Sequence, residues 1–256
     1  MSKPILIWTF RRTGGTTLAT LLTELSEHPT VDQEPFNWDR CFGSIAKDWY
    51  DYKRPDHLQA GLSQVLADHP VIKHCYELHA DSFNAALFHA ARTAGYRQMI
   101  LDRRDEVGRI LSLELAKLSG AWGKMGAAER YHQIATGEVV LEPIDLKAAL
   151  AQIELCHSRR VALRALIQNS GEPVREVCFE DIYSDMKRGR ALIHEILQDF
   201  ELDRTGDVAL EQQIRNALKH HGQNSGRMLS YVPNLAEARQ CFEAAVAALQ
   251  SDVIAL

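Results

Sequence analysis

Residues 4–25 read PILIWTFRRTGGTTLATLLTEL, and this stretch decides the predicted fold. It begins with a short run of apolar, β-branched and aromatic residues from Pro4 to Phe10, which is typical of a buried strand. Two arginines and two glycines follow, and then a segment from Thr16 to Glu27 has apolar residues at helical spacing. The order strand, tight loop, helix is one in which α/β proteins bind phosphate. The stretch nevertheless lacks the G-x-x-x-x-G-K-[ST] pattern of an ATP or GTP site.

Four further strands are predicted along the chain, with helical segments between them. They cover Thr30–Glu34, Val71–Cys75, Arg97–Leu101 and Val174–Phe179. Strands that alternate with helices pair in parallel through right-handed crossovers. The sequence therefore predicts an α/β fold with an open, mainly parallel sheet of about five strands, helices on both faces and a helical C-terminal part. We expect a single domain over residues 1–256.

The bulk composition is that of an ordinary globular protein. Of the 256 residues, 46% are hydrophobic and 25% are charged, and the formal net charge is -5. A general nucleic-acid binder is usually basic, so nucleic acid is not expected as a partner. No apolar run approaches the ~20 residues that a membrane span needs, the N-terminus does not resemble a signal peptide, and the five cysteines include no C-x-x-C pair. We expect a cytoplasmic protein without a membrane span.

The loop after the first strand offers several groups that hold an anion. Unpaired N–H groups and the helix dipole at a helix N-terminus attract negative charge, and Gly14 and Gly15 let the backbone approach an anion closely. The side chains of the loop add hydroxyl and guanidinium donors, namely those of Arg11, Arg12, Thr13, Thr16 and Thr17. Taken alone, the loop fits equally well a tight glycine turn with a threonine cap.

A second polar pair follows a later strand. In LDRRDEVGRILSLELAK, residues 101–117, Arg104 lies at a strand end and Ser112 follows eight residues later in the next helix. Together with RTGGTT, residues 12–17, this pattern resembles the sulfotransferases that use 3′-phosphoadenosine 5′-phosphosulfate (PAPS). The resemblance implies that Arg12 and its loop hold the 5′-phosphosulfate and that Arg104 and Ser112 hold the 3′-phosphate. Arg227, after Gly226, is the candidate for the C-terminal part of that clamp.

Further segments resemble the bacterial carbohydrate sulfotransferases of the trehalose sulfotransferase type. They are QEPFN at 33–37, VCFEDI at 177–182 and SGAWGKM at 119–125, and the likeness spans residues 5–185 in order. It implies PAPS as sulfuryl donor, a carbohydrate or small-metabolite acceptor near Glu34, Phe36 and Trp38, and a homodimer. The sequence departs from the family in three places: Arg12 replaces the loop lysine, Thr17 and Leu18 replace the aromatic residue that stacks on adenine in many animal relatives, and the glycine-rich C-terminal loop is not recognisable, with Gly226-Arg227 as its candidate counterpart.

Two residues compete for the role of the base that takes the acceptor proton. The resemblance favours Glu34, while His74 is the alternative because VIKH, residues 71–74, is similar to the K-x-H region of cytosolic sulfotransferases with one residue missing. Lys73 and His74 are consecutive in a strand, so they point to opposite faces and only one faces the site. We expect Lys73 to contact the sulfuryl group and Arg12 to neutralise charge on the bridging oxygen.

Other features leave alternatives open. The aromatic residues Trp38, Trp49, Tyr50 and Tyr52 fit a sugar-stacking wall and a small satellite core equally well. No histidine has the spacing of a metal site, so no metal is expected. A nucleotide or small-molecule kinase-like phosphoryl transferase is a second hypothesis, although the P-loop lysine is missing. A catalytically inactive nucleotide-binding scaffold is the third.

Overall fold

The computed structural model describes residues 2–122, 127–202, 206–219 and 225–254. The chain divides into two compact units. The first comprises Met1–Arg104 with Arg159–His221, and the second comprises Asp105–Ser158 with Gly222–Leu256. The single domain over residues 1–256 stays a prediction.

The first unit contains a four-stranded parallel sheet. Its strands are β1 (Ile5–Thr9), β2 (Ile72–Cys75), β3 (Arg97–Asp102) and β4 (Arg175–Cys178). They lie in the order β2-β1-β3-β4, and every neighbouring pair is parallel. All five residues of β1 are buried, as expected for an apolar strand in the interior of a parallel sheet. The predicted open parallel α/β fold is confirmed.

The predicted strand over Thr30–Glu34 is wrong. Only Thr30 pairs with the sheet, through an isolated parallel bridge to Val71. The chain then turns: Glu34 has a φ of 59°, and the Asn37 N–H donates to the Glu34 carbonyl at 3.0 Å. Pro35 has no N–H for a strand ladder. Within the residues that the structure describes, the sheet therefore has four strands instead of about five.

Helices make up most of the remaining chain. In chain order they are α1 (Gly15–Leu25), α2 (Gly43–Tyr52), α3 (Pro55–Leu66), α4 (Asp81–Thr93), α5 (Glu106–Ser119), α6 (Ala127–Ala135), α7 (Leu146–Ser170), α8 (Phe179–Tyr183), α9 (Met186–Asp199), α10 (Val208–Lys219), α11 (Ser225–Leu229) and α12 (Leu235–Ile254). A 3-10 turn at Tyr76–Leu78 follows β2.

Helices cover both faces of the sheet. Successive side chains of a strand point to opposite faces. Ile7 of β1 lies in one apolar cluster with Leu22 of α1 and Ile196 of α9. The next residue, Trp8, packs against Phe88 of α4 on the other face, with 6.4 Å between the ring centroids. The predicted two-sided cover of the sheet is confirmed.

The second unit is helical. Residues of α5, α6, α7 and α12 form one buried apolar cluster, which includes Leu111, Ile134, Ile153 and Phe242. The Asp145 carboxylate accepts the Ala148 N–H at 3.0 Å at the start of α7, as a helix cap does. The predicted helical C-terminal part is confirmed by α12.

None of the helices in the described part of the chain combines the length and the apolar character that a membrane crossing requires.

Candidate functional site

The candidate site lies at the carboxyl edge of the sheet in the first unit. Thr9, near the end of β1, pairs with Cys75 at the end of β2 and with Leu101 in β3. The segments that follow these three strands therefore leave the sheet at the same edge. In open parallel sheets, ligands bind outside this edge.

The loop after β1 is held from inside by two buried threonines. Thr13 donates its hydroxyl to the Phe10 carbonyl at 2.8 Å and contacts the hydroxyl of Thr9, and both threonines are almost fully buried. Thr13 therefore fixes the loop's shape, and its predicted contact with an anion stays a prediction. Gly14, the N-cap residue of α1, has no side chain to cap the helix, and its carbonyl accepts the Thr17 N–H at 3.2 Å, so the N–H groups of Gly15 and Thr16 are left to other partners.

Two residues of this loop have left-handed backbone conformations, Arg12 with a φ of 70° and Gly14 with a φ of 73°. A Cβ on Gly14 would lie 2.8 Å from a ring carbon of Phe179 and 3.1 Å from one of Tyr183. The loop after β1 is thus packed tightly against helix α8. Glycine is required at position 14 for its conformation and for its size.

We expect Gly14→Ala to lower the free energy of unfolding by about 2–5 kcal/mol, because about 1–2 kcal/mol of left-handed strain adds to an overpacking cost of about 1–3 kcal/mol. Urea denaturation followed by circular dichroism measures the loss. Gly95→Ala is the matched control, since Gly95 has a φ of 78° with no atom within 4 Å of the added Cβ. Equal losses in the two variants would contradict the tight contact with α8.

The centre of the candidate site is the side chain of Lys73. Its Nζ donates to Oε1 of Glu34 at 2.8 Å and to the hydroxyl of Thr16, in the first turn of α1, at 3.2 Å. Its stem runs beside Gly15, where an added Cβ would lie 3.4 Å from Cδ of Lys73. The second carboxylate oxygen of Glu34 accepts the side-chain amide of Asn37 at 2.9 Å. Three residues predicted separately, Thr16, Glu34 and Lys73, thus lie in one cluster.

Glu34 and Lys73 form a charged pair. Burial alone would raise the pKa of Glu34, but the Lys73 ammonium and hydrogen bonds from Lys73, Cys75 and Asn37 outweigh burial and hold this pKa below its ordinary value. Burial alone would lower the pKa of Lys73, but the neighbouring acidic groups of Cys75 and Glu34 raise it. At neutral pH the pair is therefore a carboxylate and an ammonium.

Lys73 and His74 point to opposite faces of the sheet, as predicted. His74 is buried with its Nε2 2.9 Å from Oδ1 of Asn84, and its ring stacks on His79 with 4.9 Å between the centroids. Only Lys73 of the two contacts Glu34. The alternative of His74 as base stays a prediction, and the residue is 1% exposed.

The buried histidine pair predicts acid sensitivity. Burial lowers the pKa of His74 to about 4, and burial together with the charge of His74 lowers that of His79 to about 3. Both ring nitrogens of His79 lack a hydrogen-bond partner among the described residues. Because the folded protein keeps these rings neutral, the unfolded chain binds more protons below the ordinary histidine pKa of about 6.5. Stability therefore falls as the pH drops from about 6.5 towards 4.

We expect the free energy of unfolding of His79→Phe to fall by about 1 kcal/mol less per pH unit than that of the wild type, since one buried histidine no longer resists protonation. Urea denaturation at pH 7, 6 and 5 measures the slope. His57→Phe, at an exposed histidine of α3, is the control and leaves the slope unchanged. A slope in His79→Phe equal to that of the wild type would contradict this assignment.

Arg103 links the loops after β1 and β3. Its Nη1 donates to the carbonyl of Arg12 at 3.2 Å, and its guanidinium lies over the Phe179 ring at 4.9 Å. The neighbouring Arg104 therefore belongs to a segment that is hydrogen-bonded to the candidate anion loop. The predicted convergence of the Arg12 and Arg104 guanidinium groups stays a prediction.

The Arg104 side chain pairs with a carboxylate in this structure. Its guanidinium hydrogen-bonds both oxygens of Asp181, and its backbone N–H donates to Glu180 at 3.1 Å. Arg188 also approaches Asp181, at 3.8 Å. The Arg104 side chain is 57% exposed, so a nucleotide phosphate can reach it, and a phosphate that made the same two-oxygen contact would take the place of Asp181.

The other predicted anion ligands have different surroundings. The backbone N–H and the Nε of Arg11 both donate to Oε1 of Glu77, at 2.9 Å and 3.0 Å. Thr17 lies partly exposed in the first turn of α1. In the second unit, Ser112 is buried in α5 and Arg227 is exposed in α11. The predicted roles of these four residues stay predictions.

The two predicted acceptor residues differ in exposure. Phe36 is fully buried among Phe42, His74 and Phe83, so its ring offers no open surface. Trp38 is 66% exposed, and its ring stacks on Tyr50 at a centroid distance of 6.2 Å and an interplanar angle of 29°. Of the two rings, only that of Trp38 presents a face to a ligand.

Sequence reasoning missed several residues of the site. They are Asn37, Cys75, Glu77, Arg103 and Asp181, which contact Glu34, Arg11, Arg12 or Arg104. Strand alternation would have placed Cys75 on the face of Lys73, and the spacing of three residues would have paired Asn37 with Glu34 in one turn. The contacts of the other three join distant parts of the chain, so no local pattern points to them.

The described residues include no group of three or more histidine, cysteine, aspartate or glutamate side chains that could hold a metal ion. Asp102 lies at the end of β3, but Arg160 binds it at 2.8 Å and Arg164 at 3.3 Å. Its negative charge is therefore already paired with two cations.

The fold and the site define the class of this protein as an open parallel α/β protein with a candidate anion site at the carboxyl edge of its sheet. No model of a known protein family matches the chain, and no curated protein matches it. The resemblance to sulfotransferases rests on the residues and motifs of this sequence.

Proposed function

We propose that this protein is a sulfotransferase that moves a sulfuryl group from PAPS to the hydroxyl of a carbohydrate or small metabolite. The observation that carries the proposal is the position of Lys73, whose Nζ lies within hydrogen-bond distance of Thr16 at the start of α1 and of Glu34. A cation thus connects the candidate anion loop with the candidate base. Transfer of a charged group to a hydroxyl requires both of these parts.

The residues at the carboxyl edge suit the anionic donor. The first N–H groups of α1, the Thr16 hydroxyl and the Lys73 ammonium would hold the phosphosulfate, and Arg12 would neutralise charge on the bridging oxygen. Arg104 would hold the 3′-phosphate after leaving Asp181. A carboxylate that occupies a guanidinium in the free protein makes the same bidentate contact as a phosphate.

Glu34 would act on the acceptor. The acceptor oxygen forms a bond to sulfur while the bond from sulfur to the bridging oxygen breaks, and the electron pair of that bond leaves with the phosphate. The acceptor's proton goes to the Glu34 carboxylate. Asn37, which binds the other oxygen of Glu34 at 2.9 Å, would fix the direction of the carboxylate.

The two alternative functions have less support. A kinase-like phosphoryl transferase needs carboxylates for Mg²⁺, whereas Asp102, the carboxylate at the end of β3, is bound by two arginines. An inactive scaffold does not require a buried charged pair beside the anion loop. Burying such a pair costs free energy, which a catalytic role would explain.

Transfer of radiolabelled sulfate from PAPS to a panel of sugars and small alcohols tests the proposal. We expect label in at least one acceptor, with ATP and Mg²⁺ giving no phosphate transfer to any of them. Phosphate transfer from ATP would favour the kinase-like alternative. Tight nucleotide binding without transfer to any acceptor would favour the scaffold.

The exposed face of Trp38 is the expected contact for the acceptor. With an active acceptor in hand, Trp38→Ala should raise KM for the acceptor about 10-fold, the equivalent of about 1.4 kcal/mol of stacking energy, with kcat changed much less. Initial rates at saturating PAPS measure the effect. Val208→Ala is the control, because Val208 is 79% exposed and lies in α10, outside the aromatic group around Trp38. An unchanged KM in Trp38→Ala would place the acceptor elsewhere.

A further inference from the structure

The Lys73 ammonium is within hydrogen-bond distance of two groups of the candidate site, one in the loop of Glu34 and one at the start of α1. Its Nζ lies 2.8 Å from Oε1 of Glu34 and 3.2 Å from the hydroxyl of Thr16. The Lys73 side chain is 7% exposed, so water does little to replace a hydrogen-bond partner that the ammonium loses. An ammonium has three N–H bonds, and the described residues account for two of them.

The pair with Lys73 makes Glu34 a poor base in the free protein. The hydrogen bond from the ammonium occupies one carboxylate oxygen, and Asn37 occupies the other. A carboxylate with both oxygens engaged and a cation at 2.8 Å has little tendency to accept a proton. Glu34 must lose part of this stabilisation before it takes the proton of an acceptor.

An anion at the start of α1 would compete for the same ammonium. Thr16 lies in the first turn of α1, so an anion bound to the N–H groups of that turn lies within reach of Nζ. A phosphate oxygen attracts the ammonium as a carboxylate does. The same anion brings negative charge close to Glu34, and like charges favour the protonated form of a carboxyl group.

Among the described residues, the groups that lower the pKa of Glu34 include one cation, Lys73. The groups that hydrogen-bond it or interact with it electrostatically come from β2, from the turn after β2 and from its own loop, and they are Lys73, His74, Cys75, His79 and Asn37. Burial keeps both histidines neutral above about pH 5, since it lowers the pKa of His74 to about 4 and that of His79 to about 3. Burial likewise keeps Cys75 a thiol, because it raises the pKa of that group. Among the described neighbours, Lys73 is therefore the cation that holds Glu34.

We propose that Lys73 is a positioning residue that turns from Glu34 to the donor's 5′ anion when the donor binds, so that Glu34 becomes able to accept a proton only in the donor-bound protein. This inference rests on the proposed function. It makes donor binding the step that prepares the base, and it implies that the acceptor reacts only after the donor is in place.

Proton uptake on nucleotide binding tests the inference. Calorimetric titration with 3′-phosphoadenosine 5′-phosphate at pH 5, in two buffers of different ionisation enthalpy, gives the number of protons taken up per nucleotide bound. The phosphate groups of the nucleotide exchange protons themselves, and Glu34→Gln retains that contribution while it removes the one from Glu34. The difference between wild type and Glu34→Gln is therefore the uptake by Glu34.

We expect the wild type to take up about half a proton more than Glu34→Gln. Lys73→Met with and without Glu34→Gln supplies the second comparison, and these two proteins should differ in uptake by less than wild type and Glu34→Gln do, because no ammonium leaves Glu34 when the nucleotide binds and only the charge of the nucleotide acts on it. Equal uptake by wild type and Glu34→Gln, with binding intact, would overturn the inference and leave the proposed function standing. Absence of any binding by the wild type would overturn both.

Discussion

Replacing Glu34 by glutamine is expected to lower the rate of sulfuryl transfer by a factor of about 10²–10⁴, the usual contribution of a general base. Glutamine keeps the size of the side chain and one oxygen, which can accept from Lys73 or from Asn37, but it cannot accept the acceptor's proton. The unfolding midpoint at pH 7 should fall, because the buried Lys73 ammonium loses its carboxylate partner, while the variant should still bind the nucleotide. Initial rates with radiolabelled PAPS, together with a nucleotide titration, measure both effects.

Glu24→Gln is the matched control for this variant. Glu24 is exposed on α1, so the same loss of charge at that position should leave the rate unchanged. The assignment of the base to Glu34 is wrong if Glu34→Gln transfers sulfate as fast as Glu24→Gln does. His74 would then be the next residue to replace.

Replacing Lys73 by methionine is expected to reduce both activity and stability. Methionine fills the volume of the lysine stem but leaves Glu34 without its cation, and breaking a buried ion pair costs about 3–5 kcal/mol. Because Glu34 is 21% exposed, water lowers this cost, and we expect a loss of about 2 kcal/mol at pH 7. Sulfuryl transfer should fall about 100-fold, since the donor loses a charged hydrogen bond of about 1.5–3 kcal/mol.

The pH dependence of this loss identifies its cause. In the wild type, Lys73 lowers the pKa of Glu34, although burial alone would raise it. The pair therefore stabilises the folded protein above the ordinary glutamate pKa of about 4.3, and this stabilisation is lost as Glu34 is protonated at lower pH. In Lys73→Met, burial without the ammonium raises the pKa of Glu34, and the variant should regain stability relative to the wild type as the pH falls towards 4. Urea denaturation between pH 8 and 4 measures this difference.

A double variant provides the control for Lys73→Met. Adding Glu34→Gln removes the unpaired carboxylate, so Lys73→Met with Glu34→Gln should be more stable at pH 7 than Lys73→Met alone. Lys147→Met, at an exposed lysine of α7, should match the wild type in activity. If the double variant were as unstable as Lys73→Met at every pH, the lost stability would come from packing and the charged pair would have no part in it.

The sequence predicted the parts of the fold that depend on local pattern. The apolar run at Pro4–Phe10 and the helical spacing after Gly15 became β1 and α1, because a buried parallel strand and an amphipathic helix both leave clear periodic signals. The predicted strands at 71–75, 97–101 and 174–179 are β2, β3 and β4, with ends displaced by one residue.

The fifth predicted strand shows where such patterns fail. Residues 30–34 have a composition compatible with a strand, but only Thr30 reaches the sheet. The left-handed turn at Glu34 and the proline after it redirect the chain. That turn is what points the Glu34 carboxylate at Lys73, so the error in the strand prediction falls on a residue of the candidate site.

Part of the candidate site also followed from the sequence. Alternation along β2 predicted that Lys73 and His74 diverge. The pairing of Arg104 with Asp181 and of Arg11 with Glu77 was not predicted, since each pair joins residues more than 60 positions apart. Long-range ion pairs depend on the final packing and leave no local signal.

The measurement that tests the account most directly is the affinity of the protein for 3′-phosphoadenosine 5′-phosphate compared with adenosine 5′-monophosphate, by calorimetry at one salt concentration. We predict that the 3′-phosphate strengthens binding about 10-fold or more, as charged hydrogen bonds of about 1.5–3 kcal/mol require, and that Arg104→Ala removes this advantage. Equal affinity for the two nucleotides, or an advantage that survives Arg104→Ala, would contradict the account.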